Sequence, residues 1–121
     1  MILVDTSVWI GHLRAADASL VILLERAEVL CHPFVIGELA MGSLRQRDVV
    51  LKALNALPGA TAATDEEVQQ FVTRQRLCGL GIGWVDAHLL AATRLTPGAR
   101  LWTLDKRLER AAIPLGILHA T

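Results

Sequence analysis

An α/β fold, with a short, mostly parallel central sheet flanked by helices on both faces, is predicted by two features of the sequence. Short, mainly apolar runs, Ile2-Leu3-Val4, Val29-Leu30-Cys31 and Leu101-Trp102-Thr103-Leu104, recur along the chain without the apolar/polar alternation of a one-sided strand. Between them lie longer segments whose apolar residues recur with helical spacing. Strands alternating with helices call for parallel pairing, and in such sheets ligands bind beyond the carboxyl ends of the strands, where the strand order reverses.

Taken in order, Ile2-Leu3-Val4 reads as a buried central strand that runs through Asp5-Thr6-Ser7 into a helix cap. Ser19 is the expected cap of a helix extending to about Glu28, followed by the strand Val29-Leu30-Cys31. Pro33, with its preset φ, opens a helix that contains Glu38. Arg47 to Leu57 is helical and stops at Pro58-Gly59, and Thr64 with Glu67 forms a capping box for a helix reaching about Cys78. Gly79, Gly81 and Gly83 then read as a flexible turn. They do not form a dinucleotide-binding fingerprint, because Trp84 stands where a third glycine is required. A helix from Trp84 carries Asp86 in its first turn and ends at Pro97-Gly98. The strand Leu101 to Leu104, a short helix from Lys106 to Ala112 and a last strand, Leu115 to Leu118, complete the order.

The 121 residues are expected to form a single domain, with one core and no need of covalent staples. A chain that is 53% hydrophobic and 20% charged has the composition of a packed protein. Apolar runs such as Leu20 to Leu24 are too short to span a bilayer and the N-terminus lacks a basic leader, so a cytoplasmic location is expected. Cys31 and Cys78 have no partners at metal-ligand spacing, so no zinc site or disulfide framework is indicated. Twelve basic residues balance twelve acidic ones, which argues against gripping long nucleic acid by bulk charge. Ten of the twelve bases are arginines, whose planar donor fork suits phosphate or carboxylate, so any nucleic-acid contact is expected to be local.

The chemistry is concentrated in four acids set in apolar company: Ile2-Leu3-Val4-Asp5, Val35-Ile36-Gly37-Glu38-Leu39, Gly83-Trp84-Val85-Asp86-Ala87 and Leu101-Trp102-Thr103-Leu104-Asp105. Burying an unpaired carboxylate is expensive. Asp5 and Asp105 fall at expected strand ends and Asp86 at a helix N-terminus, so three of the four converge on one crevice. Two carboxylates about 4 Å apart repel by roughly 4 kcal/mol at an effective dielectric near 20, and a hard divalent cation relieves this most simply. Oxygen ligands and water suit magnesium or manganese. Taken singly, each acid has a plainer role: Asp5 or Asp105 as a helix cap, Glu38 as the partner of an arginine, Asp86 as a charge on a helix dipole. Glu25, Glu28, Glu66 and Glu67 read as solvated faces, and Glu109, four residues after Asp105, could join the crevice. His88 is turned roughly 200° from Asp86 on a helix, the wrong geometry for a shared metal. His12, His32 and His119 have no partner at catalytic spacing, and no serine stands in a nucleophile elbow.

Asp5-Thr6-Ser7-Val8-Trp9-Ile10, Pro33-Phe34-Val35-Ile36-Gly37-Glu38-Leu39, Val85-Asp86-Ala87-His88-Leu89-Leu90-Ala91 and Thr103-Leu104-Asp105-Lys106-Arg107-Leu108 together resemble the PIN-domain family, and within it the VapC toxins of bacterial toxin–antitoxin pairs. The resemblance spans nearly the whole chain, in order. It implies a PIN-like fold, and a metal-dependent endoribonuclease in which Asp5, Glu38, Asp86 and Asp105 are catalytic and bind Mg2+ or Mn2+, with Asp5 and Asp86 as direct ligands. Thr6, Ser7 and Thr103 match positions whose hydroxyls support the acids. It also implies RNA cut to a 5′-phosphate and a 3′-hydroxyl, a VapB-type antitoxin partner and a homodimer. Arg14, Arg45, Arg47 and Arg107 are candidates for contacts to the RNA backbone, and Val8, Trp9, Leu13, Leu39 and Met41 for a groove that receives the antitoxin or for plain core.

Two rival readings exist. A PIN-like module that binds metal or RNA without cutting would have no reason to keep four acids in apolar surroundings. A receiver-type phosphate-transfer domain would show paired acids near the first strand and a lysine after the last, whereas here Asp5 stands alone and Lys106 directly follows Asp105.

Overall fold

The computed structural model describes residues 1–120. Its elements, in chain order, are β1 (Ile2–Val4), α1 (Thr6–Arg14), α2 (Ala18–Glu25), β2 (Val29–Leu30), α3 (Pro33–Ala40), α4 (Arg47–Ala56), α5 (Asp65–Arg74), α6 (Trp84–Leu95), β3 (Arg100–Trp102) and α7 (Lys106–Ala112). The three strands form a parallel sheet in the order β2-β1-β3. Successive strand residues point to opposite faces, and Ile2, Leu3 and Val4 are all buried, so both faces of the central strand are covered. α1 packs on α3, α3 on α4, α5 on α6, and α6 on β3. The core runs from Ile2 to Ile117 and includes the fully buried Leu3, Leu20, Leu89, Leu90, Leu101 and Leu108.

Strand register decides where Asp5 emerges. Val4 lies opposite Trp102, and the Asp5 N–H donates to the Trp102 carbonyl at 2.9 Å, so Asp5 leaves the sheet beside Thr103. The chain passes from β1 to β2 on one side and to β3 on the other. The strand order therefore reverses at β1, and a crevice opens at its carboxyl end.

Several boundaries differ from the sequence reading. Asp17, rather than Ser19, caps α2, accepting from the Leu20 N–H at 3.0 Å, and that helix stops at Glu25 because Ala27 turns to φ +55°. α5 carries the expected capping box from Thr64 and Glu67 but ends at Arg74, ahead of the positive φ at Arg76. The segment Leu115 to Leu118 is no strand. Its turn through Gly116, at φ +70°, leaves one bridge from Leu118 to Leu101, while a bridge from Cys31 to Gly59 lies beyond β2. These two short contacts each occupy part of a sheet edge. Among the described residues, no single helix is long and apolar enough to cross a membrane. Cys31 is buried, Cys78 is exposed, and neither is in a disulfide.

Two of the four histidines are built into the core. His32 and His88 are both buried, with Phe34 stacked at a tilt on His88, ring centroids 4.5 Å apart. His32 Nδ1 accepts from the Phe34 N–H at 3.0 Å and so caps α3. His88 Nε2 lies 3.1 Å from Asp65 Oδ1, off the line of a hydrogen bond, where the start of α5 meets α6.

Burial, and less strongly the adjacent His88, lower the His32 pKa from 6.5 to about 4. The unfolded chain thus takes up this proton at a higher pH than the native one. Stability from this group is complete above pH 6.5 and is lost as the pH falls towards about 4, by on the order of 3 kcal/mol. Urea unfolding of His32→Asn, which retains a capping oxygen, is expected to show a flatter pH dependence over that interval than the parent, and equal slopes would remove His32 as the cause.

Candidate active site

Four segments deliver the four acids to the crevice: the end of β1, the middle of α3, the first turn of α6, and the loop between β3 and α7. Asp5 is buried, Asp86 is half-buried, and Glu38 and Asp105 are exposed. Asp5 Oδ2 accepts from Ser7 Oγ at 2.8 Å and Thr103 Oγ1 at 2.7 Å. Glu38 Oε1 accepts from Thr6 Oγ1 at 2.7 Å. Asp86 Oδ2 accepts from the Gly83 N–H at 3.1 Å. Asp105 Oδ1 caps α7 through the N–H groups of Arg107 and Leu108, at 2.9 and 3.2 Å. Each carboxylate therefore has one oxygen held by a protein donor, while the other, Asp5 Oδ1, Glu38 Oε2, Asp86 Oδ1 or Asp105 Oδ2, has no protein donor among the described residues.

The plainer roles divide accordingly. Asp105 is indeed a cap, through one oxygen. Asp5 precedes α1 but makes no side-chain cap bond, because its carboxylate is taken by hydroxyls. Glu38 is tied to a threonine rather than an arginine. Among the described residues, none of the four acids is in an ion pair; Lys106 pairs with Glu109, and His88 only approaches Asp65. Glu109 is thus turned to Lys106, 3.5 Å away, instead of joining the crevice.

The hydroxyls form a relay between the two strand ends. Thr103 Oγ1 donates to Asp5 and accepts from the Asp105 N–H at 3.0 Å, and Ser7 Oγ donates to Asp5 and accepts from the Leu104 N–H at 3.0 Å. The fields of the four acids meet at Asp86. Burial raises its carboxyl above the ordinary aspartate range, the Gly83 N–H partly opposes this, and the charges of Asp5, Asp105 and Glu38 raise it further. Among the described residues, no three acidic, histidine or cysteine side chains close around one point at ligand distance. The donor set nonetheless fits a hard cation: four carboxylate oxygens without protein donors and no counter-ion. Magnesium characteristically takes one or two carboxylates directly and reaches others through its waters.

Sequence reasoning missed the role of the glycine turn. Gly83 supplies the N–H that fixes Asp86, and the signal was present as a glycine three residues before an acid at a helix start. Trp102 is core, whereas Trp84 is 44% exposed. Val8, Trp9 and Leu39 are also core, while Leu13 and Met41 are exposed. Beside Glu38, an open cavity of about 560 Å³ is lined by Ile10, Leu13, Leu39, Arg14 and Arg45 among others. A smaller one, of about 220 Å³ between α5 and α6, contains none of the four acids.

A protein-family model described as PIN domain matches residues 2–114. The chain belongs to the PIN-domain family. This PIN domain is 58% identical over 120 residues to ribonuclease VapC32 of Mycobacterium tuberculosis strain CDC 1551 / Oshkosh, covering 99% of this chain and 97% of that protein. The same identity and coverage hold for ribonuclease VapC32 of strain ATCC 25618 / H37Rv.

In this PIN domain, Thr103→Val removes a donor from the buried Asp5 and leaves the Asp105 N–H without its acceptor. A loss of about 1–3 kcal/mol is expected in denaturant unfolding, and an unchanged midpoint would contradict the hydroxyl relay.

Proposed function

We propose that the chain is a magnesium- or manganese-dependent endoribonuclease, the toxin of a type II toxin–antitoxin pair, neutralised by a VapB-type antitoxin. The observation that carries this reading is the set of four acids, each with one oxygen fixed and one free, in a PIN domain 58% identical to proteins named ribonuclease VapC32. Asp5 and Asp86 would hold the cation, and Glu38 and Asp105 would complete the site. Thr6, Ser7 and Thr103 keep the carboxylates from swinging away, as supporting shells of metal sites do. When bound, the ion supplies Lewis acidity, making a water nucleophilic near neutral pH and offsetting charge on the phosphate oxygens. With water as the attacking group, a 2′-hydroxyl nucleophile would not be required. The products carry a 5′-phosphate and a 3′-hydroxyl, from single-stranded or looped RNA whose bases are accessible.

The cavity beside Glu38, with apolar walls and two arginines, suits an antitoxin segment that blocks the site, and the family resemblance favours a homodimer.

The test is cleavage of total cellular RNA by the purified protein in magnesium, in manganese or in EDTA, alongside folded Asp5→Asn and Asp86→Asn. Discrete cuts that vanish in EDTA and fall by about 100-fold or more in both variants are expected. RNA binding without cuts would favour the alternative of a non-catalytic PIN-like metal- or RNA-binding module.

A further inference from the structure

We propose that Arg107, laid across Gly81, is the side chain that receives a phosphate of the RNA strand at this site, an inference that rests on the ribonuclease reading and assigns its phosphate contact. The backbone of Arg107 is anchored in the first turn of α7, where its N–H donates to Asp105 Oδ1 at 2.9 Å. The side chain then crosses to the loop ahead of α6. A Cβ at Gly81 would stand 3.0 Å from Arg107 Cδ, 3.1 Å from Nη1 and 3.3 Å from Cζ, so the end of the arginine lies on a backbone that has no side chain in the way. Gly81 adopts φ +77°, a conformation that also favours glycine. Two residues later Gly83 holds Asp86. Arg107 thus connects the segment that presents Asp105 to the one that presents Asp86, at the rim of the acidic crevice.

Its charge is available. Arg107 is exposed, and among the described residues its guanidinium makes no ion pair or hydrogen bond. Other arginines are engaged or lack such a seat: Arg47 donates to the Ala40 carbonyl, Arg100 to that of Gly116, and Arg14 and Arg45 line the cavity beside Glu38. A planar fork seated on the loop ahead of Asp86, and in no ion pair among the described residues, is matched to the paired oxygens of a phosphodiester. From there it offsets charge that develops on the phosphate during attack.

The test uses fluorescence anisotropy with a labelled, mixed-sequence single-stranded RNA, in the Asp86→Asn background so that the RNA survives, over a range of potassium chloride concentrations. Arg107→Ala is expected to weaken binding about tenfold and to lower the slope of log affinity against log salt by about 0.7, the signature of one lost phosphate contact on a single strand. Arg107→Lys, which keeps the charge, should retain the slope. Gly81→Ala should weaken binding in the same direction by displacing the arginine. Gly79→Ala, at φ +80° with open space around it, carries similar backbone strain and should leave binding unchanged. In protein that retains Asp86, kcat/KM for RNA cleavage should follow the same ranking. Unchanged affinity and slope in Arg107→Ala, or equal losses in the two glycine variants, would overturn the assignment of Arg107 alone. A parent that neither binds nor cuts RNA would overturn the ribonuclease reading as well.

Discussion

The contact on which the site depends is the 2.7 Å hydrogen bond from Thr103 Oγ1 to Asp5 Oδ2, made across 98 residues of sequence. It exists because β1 and β3 run parallel with Val4 opposite Trp102, so both strands end at the same edge, one residue before these partners. An antiparallel arrangement would send the two ends to opposite edges. The apolar strands therefore do more than build a core. Their register aligns a buried acid with a hydroxyl, and through the second bond of that hydroxyl with the loop bearing Asp105.

Around this link the site follows one electrostatic rule. Each of four carboxylates surrenders one oxygen to a nearby hydroxyl or backbone N–H, which fixes its direction, and leaves the other without a protein donor. Since none of the four pairs with a protein cation among the described residues, their repulsion is unrelieved by the chain itself. The consequence is visible at Asp86, where burial and three neighbouring charges act together against ionisation. The one lysine that follows Asp105 in the chain is directed elsewhere, to Glu109. In the proposed reading, such an arrangement gives up stability of the free protein in favour of binding a cation.

Much of this was legible because charge in apolar company is conspicuous. Asp5 and Asp105 follow strand runs, and Asp86 opens a long helix, so three acids could be placed at one edge from periodicity alone. Glu38 was harder, since a mid-helix acid has no positional signature, and its tie to Thr6 depends on how α1 packs against α3. Local competition between residues defeated some boundaries. Asp17 outcompeted Ser19 as a cap, and positive φ at Ala27 and Arg76 ended two helices early at residues whose type gives no warning. Leu115 to Leu118 has strand-like composition, but the turn at Gly116 leaves a single bridge. His32 as a cap was not legible, because the role comes from burial and ring orientation rather than from spacing.

The central claim is that these acids form one cation site, and titration with manganese followed by electron paramagnetic resonance tests it most directly. Saturable binding by the metal-free protein, weakened about 10–100-fold in both folded Asp5→Asn and Asp86→Asn, is the result predicted. No saturable binding, or the same affinity in the parent and both variants, would contradict the account.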